Sequence, residues 1–220
     1  AAVAQVSTYA FGGTWETDDI IRVVIGSKKY NFTAGSATTA TVVSNMVSTW
    51  NALSASDYPE FAEITASANS TTLTLTADTA GVPFTATLTP LEANAGAADS
   101  QTIEGAGTAT TGTTATAATG PNHWDDARNW SGGAVPVNND NVYIENSAVH
   151  IRYGLAQSAV TLTTLNIAAS FTGDIGLAEV NSFGSTSYLE YRSQYLAIGA
   201  TTINIGDGAG QGSGRLKINT

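Results

Sequence analysis

Two tryptophans, an asparagine and two aspartates are concentrated in one short stretch, HWDDARNWSGGAVP, at residues 123–136. Aromatic rings such as Trp124 and Trp130 either stack on a sugar or anchor a hydrophobic core. The two histidines are His123 and His150, and a two-histidine metal site needs a third ligand, for which Asp125 or Asp126 could serve. We expect the tryptophans to be core residues, and we expect no metal and no other cofactor.

Paired carboxylates are candidates for general acid–base chemistry. Glu60 and Glu63 flank Phe61, and no histidine or nucleophile lies near them in the sequence, so we expect surface acids. To cleave a glycosidic bond, the carboxyl groups of Glu179 and Glu190 would have to lie at the separation typical of glycosidases, and nothing in the sequence brings the two residues together. We therefore expect a protein that is not an enzyme.

Two other stretches contain residue types that bind ligands. The run GDGAGQGSG at 206–214 lacks the Lys-Ser/Thr of a P-loop and is not a calcium-binding nonapeptide, so a flexible turn is expected. In YLEYRSQYL, Tyr188, Tyr191 and Tyr195 alternate with other residues and could form an aromatic ladder. Sugar binding at that ladder is the less favoured interpretation.

The composition limits the possible classes of function. The chain has 220 residues, of which 42% are apolar and 12% charged, and its formal net charge is −10. Such a charge repels nucleic acids and anionic membranes, so neither nucleic-acid binding nor membrane insertion is expected. With no cysteine, disulfides and thiol chemistry are excluded.

Residues 1–90 predict a small α+β domain. Alternating runs and turns indicate the order βββαβββ, including a hairpin whose turn uses Gly26. A single apolar stripe at helical spacing predicts a helix near residues 39–54. Trp50 lies within that stripe and is expected to anchor the helix in the core.

Residues 91–121 are rich in Ala, Thr and Gly and contain few large aliphatic side chains. Such a stretch buries too little apolar surface to offset its ordering entropy by itself. It is expected to be a linker or a docking arm. If ordered, its threonines favour extended structure over helix.

Residues 122–220 contain short β runs, with no helix signal. TTLNI at 163–167 and TTINI at 201–205 form a repeat with an offset of 38 residues. This offset predicts a parallel β-solenoid in which the two segments lie about two coils apart. Asn166 and Asn204 would then stack as a ladder. An antiparallel β-sandwich is the alternative. The aromatic segment would cap the first coil through the residues Trp124, Asn129, Trp130, Gly133 and Pro136.

The final run, SGRLKINT, alternates without a capping segment after it. We expect the solenoid to continue beyond residue 220 or to be covered by another subunit. Both expectations imply self-association, with a homotrimer as the favoured oligomer.

The segment HWDDARNWSGGAVPVNNDNVYI resembles the cap and first coils of autotransporter-like and planctomycete β-solenoid surface proteins. GGTWETDDIIRVVIG and LTADTAGVPFTATLT resemble repeats in structural proteins of tailed phages. The resemblance implies architecture and no catalytic residue. It implies a virion structural protein of a tailed phage, a head-decoration or fibre protein.

The leading hypothesis is accordingly a non-enzymatic virion protein that contacts the major capsid protein or another virion protein, and in some cases a host-surface glycan. A bacterial cell-surface adhesin with a solenoid stalk is the first alternative. A carbohydrate-binding or carbohydrate-active solenoid protein is the second.

Overall fold

A computed structural model describes residues 1–93, 101–103, 110–212 and 214–220. The described chain is mainly β, as the sequence predicts, and divides into two compact units. The N-terminal unit consists of Val3–Ala118 with Val180–Tyr191, and the C-terminal unit of Ala1–Ala2, Thr119–Glu179 and Arg192–Thr220.

The elements of the N-terminal unit are β1 (Val6–Gly12), β2 (Ile20–Ile25), β3 (Lys28–Thr33), α1 (Thr39–Asn51), α2 (Pro59–Ala62), β4 (Ile64–Asn69), β5 (Thr72–Ala77), β6 (Ala86–Leu91), β7 (Thr102–Ile103), β8 (Thr110–Thr111) and β9 (Thr113–Thr116), together with two later strands, β12 (Val180–Phe183) and β13 (Thr186–Leu189). The elements of the C-terminal unit are a 3₁₀ helix (Ala127–Asn129), β10 (Asn141–Ile144), β11 (Ala156–Ala168), β14 (Leu196–Asp207) and β15 (Ile218–Asn219).

Strand alternation places the core of the N-terminal unit between its sheets and α1. One sheet has the order β4-β5-β1-β7, with β9 also on β1, and the other has the order β3-β2-β6-β8. Leu73 and Leu75 of β5 are fully buried, as the alternation of TLTLTA predicts. Gly26 has φ of +60° in the turn between β2 and β3, the conformation that the expected hairpin requires.

The helix α1 is shorter than the predicted 39–54. It buries Val42, Val43, Met46 and Trp50. Its last residue, Asn51, explains the early end. The Asn51 side chain donates to the Ala66 carbonyl (2.8 Å) and accepts the Ala66 N–H (3.0 Å), which fixes the end of α1 to β4.

The Ala/Thr/Gly-rich segment 91–121 is only partly described, because residues 94–100 and 104–109 of it lie outside the described residues. Its described parts are extended. β7 and β9 pair with β1, and β8 pairs with β6. Ile103, one of the few aliphatic residues of the segment, is fully buried. Threonine favours such edge strands, and ladder hydrogen bonds with β1 and β6 supply the stability that the segment lacks on its own.

The sheet of the C-terminal unit has the order β10-β11-β14-β15, and every pair in it is parallel. The antiparallel sandwich considered as the alternative is therefore wrong. Three further parallel bridges join neighbouring layers outside the sheet: His123 with Tyr153, Ile151 with Ile175, and Ile175 with Leu216.

Asn166 and Asn204 are directly opposed in the parallel sheet, and Asn204 Nδ2 donates to Asn166 Oδ1 at 2.7 Å. The expected ladder is present, but its offset of 38 residues corresponds to one step between neighbouring strands, not two. The preceding step, from Tyr143 to Asn166, takes 23 residues. The longer step contains residues 180–191, which fold with the N-terminal unit.

Residues 180–191, expected within the second domain, form the β12–β13 hairpin of the N-terminal unit. Two tyrosines attach this segment to Glu63 just after α2. The Tyr188 hydroxyl donates to Glu63 Oε1, and the Tyr191 hydroxyl donates to Oε2 at 3.0 Å. Both carboxyl oxygens of a buried glutamate are thus hydrogen-bonded, as buried polar atoms require.

Within the described ranges, neither helix combines the length and the apolar character needed to span a membrane.

Candidate functional site

The aromatic segment after residue 120 begins with an ion pair that fixes its backbone. Asp126 lies at the N-cap of the 3₁₀ helix and accepts the Arg128 backbone N–H (3.1 Å). The Arg128 side chain also donates to both carboxylate oxygens, through Nε (2.9 Å) and Nη2 (2.6 Å). These hydrogen bonds lower the pKa of Asp126 to about 2. Asp126 therefore stays charged in the folded protein except in strong acid.

The two tryptophans of the segment have different environments. Trp124 is 1% exposed and belongs to the core of the C-terminal unit, whereas Trp130 is half-buried at the edge of that core. Their rings meet edge to face at 4.8 Å, and the Trp130 indole N–H donates to the Trp124 carbonyl (2.7 Å). The buried Trp124 indole N–H has no hydrogen-bond acceptor among the described residues. Trp124 therefore contributes an apolar ring to the core.

The other predicted cap residues hold the turn that follows. Asn129 Nδ2 donates to the carbonyls of Gly120 (2.9 Å) and His123 (2.7 Å). Gly133 has φ of +66° where its N–H bonds the Trp130 carbonyl, a conformation that favours glycine. Pro136 is buried.

A cleft of about 490 Å³ opens between this segment and the first strand of the parallel sheet. We call it the cap cleft, and its lining residues are Pro121, His123, Trp124, Asn129, Trp130, Ser131, Tyr143, Ile144, Glu145, Ser147, Val149, Ile151 and Phe171. Its volume falls within the range of about 300–1,000 Å³ that is typical of small-molecule sites. The cap cleft is the candidate functional site.

The floor of the cap cleft is apolar and its rim is polar. Ile144 and Phe171 belong to the core, while Tyr143 is 63% exposed at an outward position of β10. The Glu145 side chain is exposed and has no hydrogen bond or ion pair among the described residues. No lysine or arginine lines the cleft. Such a site favours an uncharged ligand with an apolar face and rejects anions.

The sequence could not single out this cleft. Trp124 and Trp130 look equivalent in the sequence, and only the fold buries one and leaves the other half-accessible. Tyr143 could have been noticed, because the alternation of NVYIE places it opposite the buried Val142 and Ile144. Phe171 lies just after β11, outside the regular strands, and nothing in the sequence places it in the lining of the cleft.

The other residues considered for chemistry lie in separate places. His123 Nδ1 is 3.1 Å from Asp125 Oδ1, and His150 Nδ1 is 3.3 Å from Asp174 Oδ2. Within the part of the chain that the structure describes, no three His, Cys, Asp or Glu side chains converge as metal ligands.

The expectation of surface acids at Glu60 and Glu63 is wrong, because both are buried. Oε2 of Glu60 is enclosed without a hydrogen-bond partner among the described residues. Glu190 is also buried and accepts a hydrogen bond from Asn181 Nδ2 at 2.7 Å, whereas Glu179 is exposed. None of these carboxylates lines the cap cleft.

The tyrosines of YLEYRSQYL do not form one ladder. Tyr188 and Tyr191 belong to the N-terminal unit, and their rings stack at 6.0 Å. Tyr195 belongs to the C-terminal unit, where Lys217 Nζ lies 5.1 Å from its ring centroid. The turn at 206–214 is exposed where it is described, and residue 213 lies outside the described residues.

Trp50 is a core residue of the N-terminal unit. Its ring stacks on Phe32 at 5.7 Å, and its indole N–H donates to the carbonyls of Phe61 (3.2 Å) and Ile64 (2.8 Å). The indole is enclosed and fully hydrogen-bonded, which leaves it no ligand-binding surface.

No protein-family model, curated protein or solved structure matches the chain.

Proposed function

We propose that the C-terminal unit is a short parallel β-solenoid. Three columns of parallel pairing support this proposal. One column runs Val142–Leu165–Ile203, a second runs Ile151–Ile175–Leu216, and a third joins Leu155 to Ala197 and Leu196 to Ile218. Successive turns of the chain stack on one another in all three columns, which is how a solenoid buries its aliphatic side chains.

The spacing along the chain agrees with this proposal. The first step of the sheet takes 23 residues, and the second takes 38. Without residues 180–191, which fold with the N-terminal unit, the second step would shorten to about the length of one coil. The Asn166–Asn204 hydrogen bond then stacks amides on the outer surface of adjacent coils.

On this architecture we base the function: a non-enzymatic structural protein of a phage particle, as a head-decoration or fibre protein. The stacked parallel register of β10, β11 and β14 is the observation that carries it. Stacked coils give an elongated body that lengthens by about 4.8 Å per coil. The resemblance of the first unit to repeats in structural proteins of tailed phages supports the assignment of the chain to a phage particle.

Self-association is part of the proposal, with a trimer as the favoured assembly and a capsid or other virion protein as the partner. Ile205 occupies an inward-facing position of β14 and is 59% exposed. β14 pairs with β15 only at Leu196 and Ala197, so the rest of that edge has no strand beside it among the described residues. A further layer of β structure would cover both.

The test is to look for the chain in purified particles from the source that encodes it. Gradient-purified virions should contain the chain in a fixed ratio to the major capsid protein by quantitative mass spectrometry. Gold-labelled antibodies against it should decorate intact particles. Finding the chain in the bacterial envelope and not in virions would overturn the proposal in favour of a surface adhesin. Release of sugars from polysaccharides by the purified chain would overturn its non-enzymatic part.

A further inference from the structure

We propose that the cap cleft is a binding site for a neutral oligosaccharide, with Trp130 and Tyr143 as stacking surfaces and Glu145 as a hydrogen-bond acceptor. The proposal rests on the cleft alone and is independent of the particle to which the chain is assigned. It goes beyond a structural role, because a protein that only builds a particle needs no ligand site.

The aromatic side chains at the cleft favour stacking. The Trp130 indole N–H already donates to the Trp124 carbonyl, so the half-buried Trp130 offers a ligand its ring rather than a donor. Tyr143, 63% exposed, supplies a second accessible ring on the wall. The C–H faces of a hexose are apolar and flat, and they match such rings.

The rest of the cleft matches the same ligand. Ile144, Ile151 and Phe171 make an apolar floor, and Ser131 and Ser147 bring hydroxyls to the lining. A sugar ring combines an apolar face with hydroxyls at its edge, which fits an apolar site with few polar groups. The exposed Glu145 carboxylate can accept hydrogen bonds from two neighbouring sugar hydroxyls, and charged acceptors form the stronger hydrogen bonds.

Charge excludes the anionic ligands. No lysine or arginine lines the cleft, Glu145 is an anion, and the formal net charge of the chain is −10. Phosphorylated, sulfated or uronic-acid sugars would be repelled from such a site.

A basic side chain is the remaining competitor, because aromatic rings and a carboxylate also attract cations. An aromatic cage needs several accessible rings, and here Trp124 and Phe171 are each 1% exposed. Two accessible rings and one carboxylate on an apolar floor suit a neutral sugar better than a lysine or a quaternary ammonium group.

The experiment uses the full chain on an array of neutral, acidic and basic oligosaccharides, together with Lys- and Arg-containing peptides. Isothermal titration with the best neutral oligosaccharide follows. Tyr143→Ala should lower the affinity about threefold to tenfold, the effect of one aromatic contact. Glu145→Gln should lower it by a similar factor. Trp130→Phe, which keeps a stacking ring, should bind within about threefold of the wild type.

The matched control is Tyr195→Ala. Tyr195 is an exposed tyrosine of the same unit, 48% accessible, and does not line the cleft. Its removal should leave the affinity unchanged. Hydrogen exchange of β11 and β14 confirms that each variant is folded before its affinity is compared.

Three results would overturn the proposal: no neutral oligosaccharide binding at millimolar concentrations, a preference for acidic sugars or basic peptides, or equal losses in Tyr143→Ala and Tyr195→Ala. Absence of the chain from virions would refute the particle assignment and leave the cleft proposal standing. Loss of sugar binding by Tyr143→Ala, conversely, says nothing about virions. The two proposals therefore fail separately.

Discussion

Truncating the three aromatic side chains at the cap cleft should destabilise the C-terminal unit in the order of their burial: Trp124→Ala most, then Trp130→Ala, then Tyr143→Ala. Trp124 is 1% exposed, and removing a fully buried tryptophan typically costs about 3–5 kcal/mol of unfolding free energy. Tyr143, 63% exposed, should cost less than about 1 kcal/mol, because little of its ring surface is buried.

Trp130 lies between these two cases. Its half-buried ring should contribute about half of a buried tryptophan, roughly 1.5–2.5 kcal/mol. Its indole N–H also donates to the Trp124 carbonyl, and loss of that hydrogen bond adds about 1 kcal/mol. Trp124→Ala has a partial compensation, since it deletes a buried N–H that has no acceptor among the described residues. We therefore expect a gap of only about 1 kcal/mol between the two tryptophan variants.

Hydrogen exchange measured by mass spectrometry on peptides of β11 and β14 is the suitable assay. The chain has two compact units, so a single melting temperature would mix their unfolding, whereas exchange reports each unit separately. Tyr195→Ala, another exposed tyrosine, should match Tyr143→Ala. The assignment of Trp124 to the core would be refuted if Tyr143→Ala or Trp130→Ala cost clearly more than Trp124→Ala.

Three further predictions concern the packing around Gly112 and the charges of Asp126 and Asp19. Gly112→Ala should destabilise the N-terminal unit by about 1–3 kcal/mol, measured by hydrogen exchange on peptides of β1 and β5, because a Cβ there would lie 2.6 Å from the Tyr9 ring, while Gly132→Ala, with open space around it, should cost the C-terminal unit less than about 1 kcal/mol on peptides of β11 and β14. Asp126→Asn should destabilise the folded protein at pH 6, and this effect should disappear as the pH falls from about 4 to about 2. The pKa of Asp126 is lower in the folded than in the unfolded chain, so its charge stabilises the fold above the unfolded pKa, and that stabilisation is lost as the pH falls through the folded pKa. Equal effects of the substitution at about pH 6 and about pH 2 would contradict this. Burial raises the pKa of Asp19, so its ionised form opposes folding; Asp19→Asn should raise the urea midpoint of the N-terminal unit at pH 7, followed by hydrogen exchange on peptides of β2, with a gain that disappears at pH 3, and a variant less stable at pH 7 would argue against it.

Local patterns predicted the regular elements well. The alternation of TLTLTA placed Leu73 and Leu75 inside, and the apolar stripe around Trp50 located α1. The TTLNI/TTINI repeat correctly aligned Asn166 with Asn204. These features depend on neighbours within a few residues or on a direct repeat, both of which the sequence displays.

Long-range placement could not be predicted. The segment 180–191 alternates like any strand of the second half, and its attachment to the N-terminal unit depends on Glu63, which is 125 residues away from Tyr188. The same separation hid the burial of Glu63, since an exposed and a buried glutamate look alike until the tyrosines that hydrogen-bond it are known. The strands of the Thr-rich segment form only because β1 and β6 offer unpaired edges, a property of the sheets and not of the threonines.

The cap cleft is lined on one side by the aromatic segment after residue 120 and on the other by β10 and the residues that follow it. An aromatic segment that packed completely against β10 would bury Trp130 as deeply as Trp124 and leave no cavity. Here Trp124 packs in the core, while two of the three residues after Trp130 are glycines, which bring no side-chain volume. Filling the space with larger side chains would bury more apolar surface and stabilise the unit. Selection for stability alone would favour that change. A purely structural role therefore leaves the open cleft and the uncovered ring of Tyr143 unexplained, whereas a bound ligand would explain both.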